Sequence, residues 1–309
     1  MRLDRGGAVL IAAGLLVVGC GSDDTSSSSD TTDAPTSVTP ESTTTTVPAV
    51  TVDYKFTGEA TPDQADQAAE VMAKRLEAYG YAGSTAEVTD DGTGLSITVL
   101  GVASADEANA LVEPLTASGA LYFRPVLAGP LAPAAGETAS PDTQAVLDQL
   151  APGTVPVGSD LPTTPPEADD PAGQAVLVQP DIDGYVLARW EVGPSQVDAT
   201  AISDVEMTTY EGSQAMRVTM KEGSPGIDQF NALAEQCFNK APECPSGADA
   251  VVFNSMVITA STIRPGESTF TPFAADDVII WSPDWSEDQV KLYTAIMTVG
   301  ELPVGLAPA

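Results

Sequence analysis

Val52-Asp53-Tyr54-Lys55-Phe56, Thr61-Pro62-Asp63-Gln64, Leu95-Ser96-Ile97-Thr98-Val99 and Ala120-Leu121-Tyr122-Phe123-Arg124-Pro125-Val126 are the runs that decide the fold. The first alternates apolar and polar residues with period two, the mark of a half-buried strand. Thr61 supplies an N-cap, Pro62 suits the first helical position and Gln64 completes a capping box. Met72, Leu76 and Tyr79 continue at helical spacing, and Gly80 offers a stop. Glu70 and Lys74 pair at i,i+4 on the solvent side. Two strand-like pieces, 85–89 and 95–99, flank a turn at Asp90-Asp91-Gly92-Thr93-Gly94. A second helix starts at Ser104, with Glu107 as capping partner, and buries Ala108, Leu111, Val112 and Leu115. The run 120–126 closes the segment as a strand. The order β-α-β-β-α-β predicts a ferredoxin-like unit over 51–127.

Downstream, residues 128–183 are rich in Pro, Ala, Gly and acidic residues, with one short helical candidate at 143–150. They read as a linker or insertion, largely irregular, that is mobile or caps something. Order returns at Gly184. The runs 185–190, 202–208 and 215–220 look like strands, and a helix at 227–238 buries Ile227, Phe230, Leu233, Ala234 and Phe238. Residues 250–258 hold two short strands around an Asn254-Ser255 turn, and 278–280 is another strand. Ser286 and Gln289 open a last helix that stops at Gly300. A second α+β domain with a mostly antiparallel sheet is expected over 184–309.

Upstream, Arg2 and Arg5 precede an apolar run from Ala8 to Val18, which ends in Val17-Val18-Gly19-Cys20. This reads as a secretory signal over residues 1–19, and the run is short for a transmembrane helix. A cysteine directly after the small residue resembles the bacterial lipobox, in which the thiol is acylated and becomes the new N-terminus. An ordinary signal with an incidental cysteine is the other reading. Residues 20–50 are almost all Ser, Thr, Asp and Pro, too poor in apolar surface to fold, and read as a disordered tether. With Cys20 as the lipid attachment site, Cys237 and Cys244 remain as an even pair. An oxidising extracytoplasmic setting permits a small-loop disulfide between them. A metal pair is the rival reading, but with no histidine and no further cysteine a zinc shell cannot be completed.

The 309 residues carry 12 Lys+Arg against 44 Asp+Glu, a formal charge of −32, and no histidine. Counterion release from nucleic acid needs clustered cations, so the composition excludes that partner. The missing histidine removes Ser-His-Asp and Cys-His nucleophiles, zincin motifs and facial-triad iron sites. No Ser-x-x-Lys motif and no phosphate-binding glycine loop is present, so neither an enzyme nor a cofactor is expected. Asp181-Ile182-Asp183-Gly184 lacks the further ligands of a calcium loop and reads as a polar turn. Trp190, Phe230, Phe238, Phe270, Trp281 and Trp285 are the candidates for an apolar groove that binds unfolded chains, with core packing as the competing explanation.

In order and spacing these pieces resemble the first large extracytoplasmic domain of SecD, the proton-driven export accessory of bacteria, with its ferredoxin-like base and inserted head. Lys74-Arg75-Leu76-Glu77-Ala78-Tyr79-Gly80-Tyr81 is similar to the family's run of Arg, Leu and Gly at the end of the first helix. Residues 95–102 resemble its strand ending in a proline-glycine pair, with Leu100 in place of the proline. Residues 119–126 are similar to its "LeFR-V" strand. In the head, the resemblance runs through Met216–Met220, Phe230 and Val257–Ile263, where Ser261 replaces a proline. Asn254-Ser255 stands in place of the usual Asp-Gly turn. Trp285-Ser286, Gln289-Val290 and Gly300-Glu301-Leu302-Pro303 resemble the terminal stretch.

The resemblance implies a head that contacts an emerging preprotein and shifts relative to its base, here without the family's proton-conducting membrane helices. The expected protein is a lipid-anchored, extracytoplasmic binder of unfolded or emerging polypeptide that assists export or folding, with a Sec translocon component as a further partner. The alternative is a structural lipoprotein that docks one folded envelope protein.

Overall fold

The computed structural model describes residues 47–309 apart from 152, 153 and 182; the expected signal, Cys20 and the tether up to residue 46 lie outside the described residues. In chain order the elements are β1 (Ala49–Phe56), α1 (Pro62–Ala78), β2 (Thr85–Val88), β3 (Gly94–Leu100), α2 (Ala105–Leu115) and β4 (Leu121–Leu131). There follow α3 (Pro141–Leu147), β5 (Ala175–Pro180), β6 (Val186–Val192), β7 (Val197–Asp198), β8 (Ile202–Tyr210), β9 (Ser213–Met220) and α4 (Ile227–Phe238). The chain ends through β10 (Ala248–Phe253), β11 (Met256–Thr262), β12 (Val278–Trp281), α5 (Glu287–Val299) and β13 (Leu306–Pro308). Helix starts follow their caps. The Thr61 Oγ1 accepts the Gln64 N–H while the Gln64 side chain accepts the Thr61 N–H, and Ser286 and Gln289 repeat the device at α5.

The α+β class expected from the sequence holds, with antiparallel pairing throughout the named sheets. The base sheet has the ferredoxin-like order β13-β1-β3-β2. Its closing strand is not the one expected. The run 120–126 lies in the second sheet, ordered β11-β10-β4-β6-β5, and the place beside β1 belongs to β13, with Tyr54 opposite Pro308 and Phe56 opposite Leu306. The burial of β4 explains this. Leu121 and Phe123 face the main core while Arg124 and Val126 are buried on the opposite face, so β4 is covered on both sides as a central strand is. An edge position beside β1 suits the short, proline-ended β13 instead. Everything from β4 to β12 is therefore inserted between α2 and α5 of the base.

The first core gathers the base helices, β1, β3, β9 and α4, and reaches from Val52 to Leu306. The second is small and lies inside the β4–β6–β5–β10–β11 sheet, with Val126, Leu177, Val192, Ala250, Val252 and Val257. A third sheet, β12-β9-β8, packs β9 residues Met216, Val218 and Met220 into the first core. Cys237 and Cys244 are joined as expected, their Cα atoms 4.8 Å apart, stapling the end of α4 to the turn before β10. Both sulfurs lie by the Ala248 carbonyl.

Three of the largest fully buried side chains are arginines, Arg75, Arg124 and Arg189. Arg75 projects from α1 and donates to the carbonyls of Leu115, the last residue of α2, of Ala117 and Ser118 just beyond it, and of Gly300, just beyond α5. The Leu115, Ala117 and Gly300 carbonyls lie at two helix C-termini, where partial negative charge gathers, and the Ser118 carbonyl also accepts the Leu302 N–H. Burial drags the guanidinium down to about 10, and it stays protonated at neutral pH. Gly119, at φ 87°, completes the site: a Cβ there would lie 2.5 Å from Arg75 Nη2. Arg124 donates to Gly193 and Gly173 carbonyls and pairs with the equally buried Asp169 at 2.8 Å. Arg189 collects the carbonyls of Ala132, Gly158 and Leu161 and lies 3.4 Å from Glu137. The stretch expected to be a largely irregular linker thus carries part of β4, α3 and β5, and its irregular parts are wrapped around two buried cations.

Truncating Arg75 strands three carbonyls, those of Leu115, Ala117 and Gly300, and leaves no compensating charge. Arg75→Met is expected to cost about 3–5 kcal/mol in urea unfolding, and Arg75→Lys nearly as much, because one ammonium cannot span two helix ends. A Lys variant as stable as the parent would refute the clamp. Reducing the Cys237–Cys244 bridge is expected to cost about 2–3 kcal/mol, read as a fall in midpoint under reductant.

Candidate functional site

The Asn254-Ser255 turn drives β10 and β11 antiparallel, with both residues at positive φ and Asn254 Oδ1 accepting the Gly119 N–H at 2.8 Å. The hairpin turns Ala250, Val252 and Val257 into the small core and leaves Asp249, Val251, Thr259 and Ser261 on its outer face. That face floors a cavity of about 340 Å³. One wall is β12, joined to the floor where Thr259 Oγ1 donates to the Trp281 carbonyl at 3.2 Å. The opposite wall is Phe230 of α4 and Phe273, whose backbone is held on both sides by the Asn231 amide at 2.7 and 3.0 Å. Arg264, Glu267 and Asp277 stand among the remaining lining residues.

Asp249 is 6% exposed and lines this cavity. No other side chain among the described residues hydrogen-bonds to its carboxyl, and burial pushes it up to about 7. Arg264 is the lining cation, but its guanidinium lies 4.2 Å over the Phe273 ring and 3.4 Å from Glu267. Its Nε is buried without a partner.

The six aromatic candidates do not form one groove. Phe230, Phe238 and Phe270 belong to a continuous aromatic line with Phe123 and Phe273, ring centroids 5.4–6.4 Å apart. Trp281 lines the same cavity as Phe230 and packs on Tyr210 at 5.3 Å. Trp285 lies apart, against Tyr293 at 5.5 Å. Trp190 packs against Gly129 and donates its indole N–H to Gln179 at 2.8 Å. Asp181 accepts the N–H groups of Asp183 and Tyr185, the polar turn expected for it.

A second opening was not anticipated. Pro130, Leu131, Val146, Leu147, Leu150, Val155, Val157 and Leu187 line a groove of about 370 Å³ between α3 and the extension of β4. Val146, Val155 and Val157 are 63%, 74% and 75% exposed, so this is an uncovered aliphatic patch. Among the described residues no group of three or more His, Cys, Asp or Glu side chains could hold a metal ion, and no helix is long and apolar enough to cross a membrane.

No protein-family model matches the chain, and no curated protein sequence does. The fold itself is shared: a ferredoxin-like base carrying an inserted, mostly antiparallel α+β head is a SecD-like architecture. SecDF in its Super-membrane-facing form superposes with a TM-score of 0.53 at 17% identity over 84% of this chain and 29% of that one. A structure of SecDF, described as a membrane component that enhances protein export, gives 0.50 at 17% identity over 84% of this chain and 98% of that one. This chain thus spans less than a third of the first SecDF chain and nearly all of the second. At that identity the likeness is one of fold.

The Asp249 carboxyl keeps its proton up to about pH 7 in the folded state, whereas an unfolded aspartate loses it near pH 3.9. Its folded pKa is raised and the group is acidic, so its contribution to stability falls as pH rises between those values and is flat above them. Asp249→Asn is expected to match the parent near pH 4 and to exceed it by about 4 kcal/mol at pH 8 in urea unfolding. A loss at pH 8 would mean that the carboxylate has a cationic partner in the folded protein.

Proposed function

We propose that this protein binds unfolded polypeptide on the extracytoplasmic side of a membrane, assisting export or folding, and is held there by lipid on Cys20. The carrying observation is the aliphatic groove at Val146, Val155 and Val157. Exposed contiguous apolar surface on a chain of net charge −32 is the kind of feature that serves an apolar partner. Unfolded segments supply that chemistry, and folded proteins bury it. The shared architecture with SecDF supports the reading, since one of those structures is described as enhancing export. A Sec translocon component is a natural further partner on the same grounds. In this reading the groove makes the first, sequence-tolerant contact, while Phe238 and Phe270 back the Phe230 and Phe273 wall that stands opposite Trp281.

Titration against one secretory protein, held unfolded and then folded, tests the proposal. Saturable binding to the unfolded form alone is expected, weakened at least about tenfold by Val155→Asp with Val157→Asp. Binding to one folded envelope protein, with indifference to unfolded chains, would establish the structural docking reading instead. Cys20→Ser is expected to abolish incorporation of radiolabelled palmitate and to move the protein out of the membrane fraction.

A further inference from the structure

The aromatic cavity holds a chemistry that the groove does not. Its floor carries one carboxyl, Asp249, nearly buried and bonded to no other side chain among the described residues. Its walls are the flat faces and edges of Phe230, Phe273 and Trp281. Glu267 and Asp277 add negative charge among the lining residues, and the lining cation, Arg264, is held against Phe273 and Glu267. The volume, about 340 Å³, lies at the small end of the range for ligand sites.

These features select an occupant. An anion would meet Asp249, Glu267 and Asp277. A wholly apolar group would fill the walls but leave the carboxyl desolvated, with its own backbone N–H as donor and no charge opposite it. A metal ion lacks a ligand set. A cation at the end of an alkyl stem satisfies floor and walls together: the stem lies along the rings, and the cationic head meets the carboxylate. We propose that this cavity is a pocket for a lysine or arginine side chain presented by an extended polypeptide, with its cationic head on Asp249. The inference rests on the polypeptide-binding reading and adds to it a preference among segments. The basic residue anchors in the cavity while neighbouring apolar residues remain free to seek the groove.

Proton release accompanies binding, because the cation pairs with the ionised carboxyl. The charged and titratable groups that line the cavity with Asp249 are Arg264, Glu267, Asp277 and Tyr210, and burial raises the floor carboxyl to about 7. Apparent affinity is the intrinsic affinity scaled by the ionised fraction, which rises about tenfold between pH 6 and pH 8.

The test uses the intact protein and three neutral-backbone heptapeptides differing only at the centre: lysine, norleucine or glutamate. Binding is followed by calorimetry and tryptophan fluorescence. The lysine peptide is expected to bind at least about tenfold tighter than the norleucine peptide, since hydrogen bonds to charged groups are worth about 1.5–3 kcal/mol. That gap should close in Asp249→Asn, and the lysine peptide alone should tighten about tenfold from pH 6 to pH 8. Equal binding of lysine and norleucine peptides, or a preference that survives Asp249→Asn, would overturn the pocket. Butylammonium binding as tightly as the lysine peptide would also overturn it, by making the site one for free amines. If all three peptides fail while the unfolded secretory protein still binds, the pocket alone is wrong. If that protein fails as well, the reading beneath it is wrong too.

Discussion

Three buried guanidinium groups set the conditions under which the rest of this chain folds. Each sits where several backbone carbonyls lack a hydrogen-bond partner of their own, and each supplies the donors. A buried carbonyl without a donor costs on the order of 1–3 kcal/mol, so irregular segments cannot be packed inside unless something answers them. Arginine is suited to the task because its planar fork presents five donors at fixed angles. The cation is in turn tolerated away from water because helix C-termini, as at Arg75, or a carboxylate, as at Arg124 and Arg189, lie against it. With only 12 basic residues against 44 acidic ones, placing three in the interior is a heavy commitment to architecture.

The residues that carry the resemblance to SecD hold structure in this fold. Arg75 and Gly300 belong to one clamp, and Gly119 is the residue whose missing Cβ lets the guanidinium approach. The clamp joins α1 to the ends of α2 and α5, the two points where the chain leaves the base and returns to it. A resemblance carried by such positions transmits an architecture, and the site has to be sought elsewhere. Arg124, within the "LeFR-V"-like run, does the same for the head by fixing 169–173 against β4.

What could be read beforehand follows the same division. The capped helices α1 and α5, and α4 with its clean periodicity, lie close to the limits that the sequence suggests because local rules and burial agree there. β13 was invisible because three residues ending in proline carry no period, and its place is fixed only by the free edge of β1. Misplacing 120–126 followed from that: a pattern with six elements needed a sixth, and the nearest apolar run served. The 128–183 stretch looked irregular because its order is held by two distant arginines, a long-range cause that composition does not record. Asp249 was missed by one position. Starting the strand at Ala250 left the acid outside it, whereas all six residues of β10 are buried.

That position deserves a physical account of its own. A buried carboxylate is costly in any protein, and more so in one whose net charge of −32 already opposes further ionisation. Arg124 and Arg189 show that this fold can bring a cation to a buried acid, as at Asp169. At Asp249 no cationic side chain among the described residues pairs with the carboxyl, and Arg264, which lines the same cavity, is drawn off by Phe273 and Glu267. The cost is therefore left standing in the cavity walled by Phe230, Phe273 and Trp281. Structural carboxylates here are matched with donors from within the chain, as Asp181 and Asp91 are by neighbouring N–H groups. Asp249 is answered, among the described residues, only by its own backbone N–H, so a cation brought from outside the chain is the partner its carboxylate lacks.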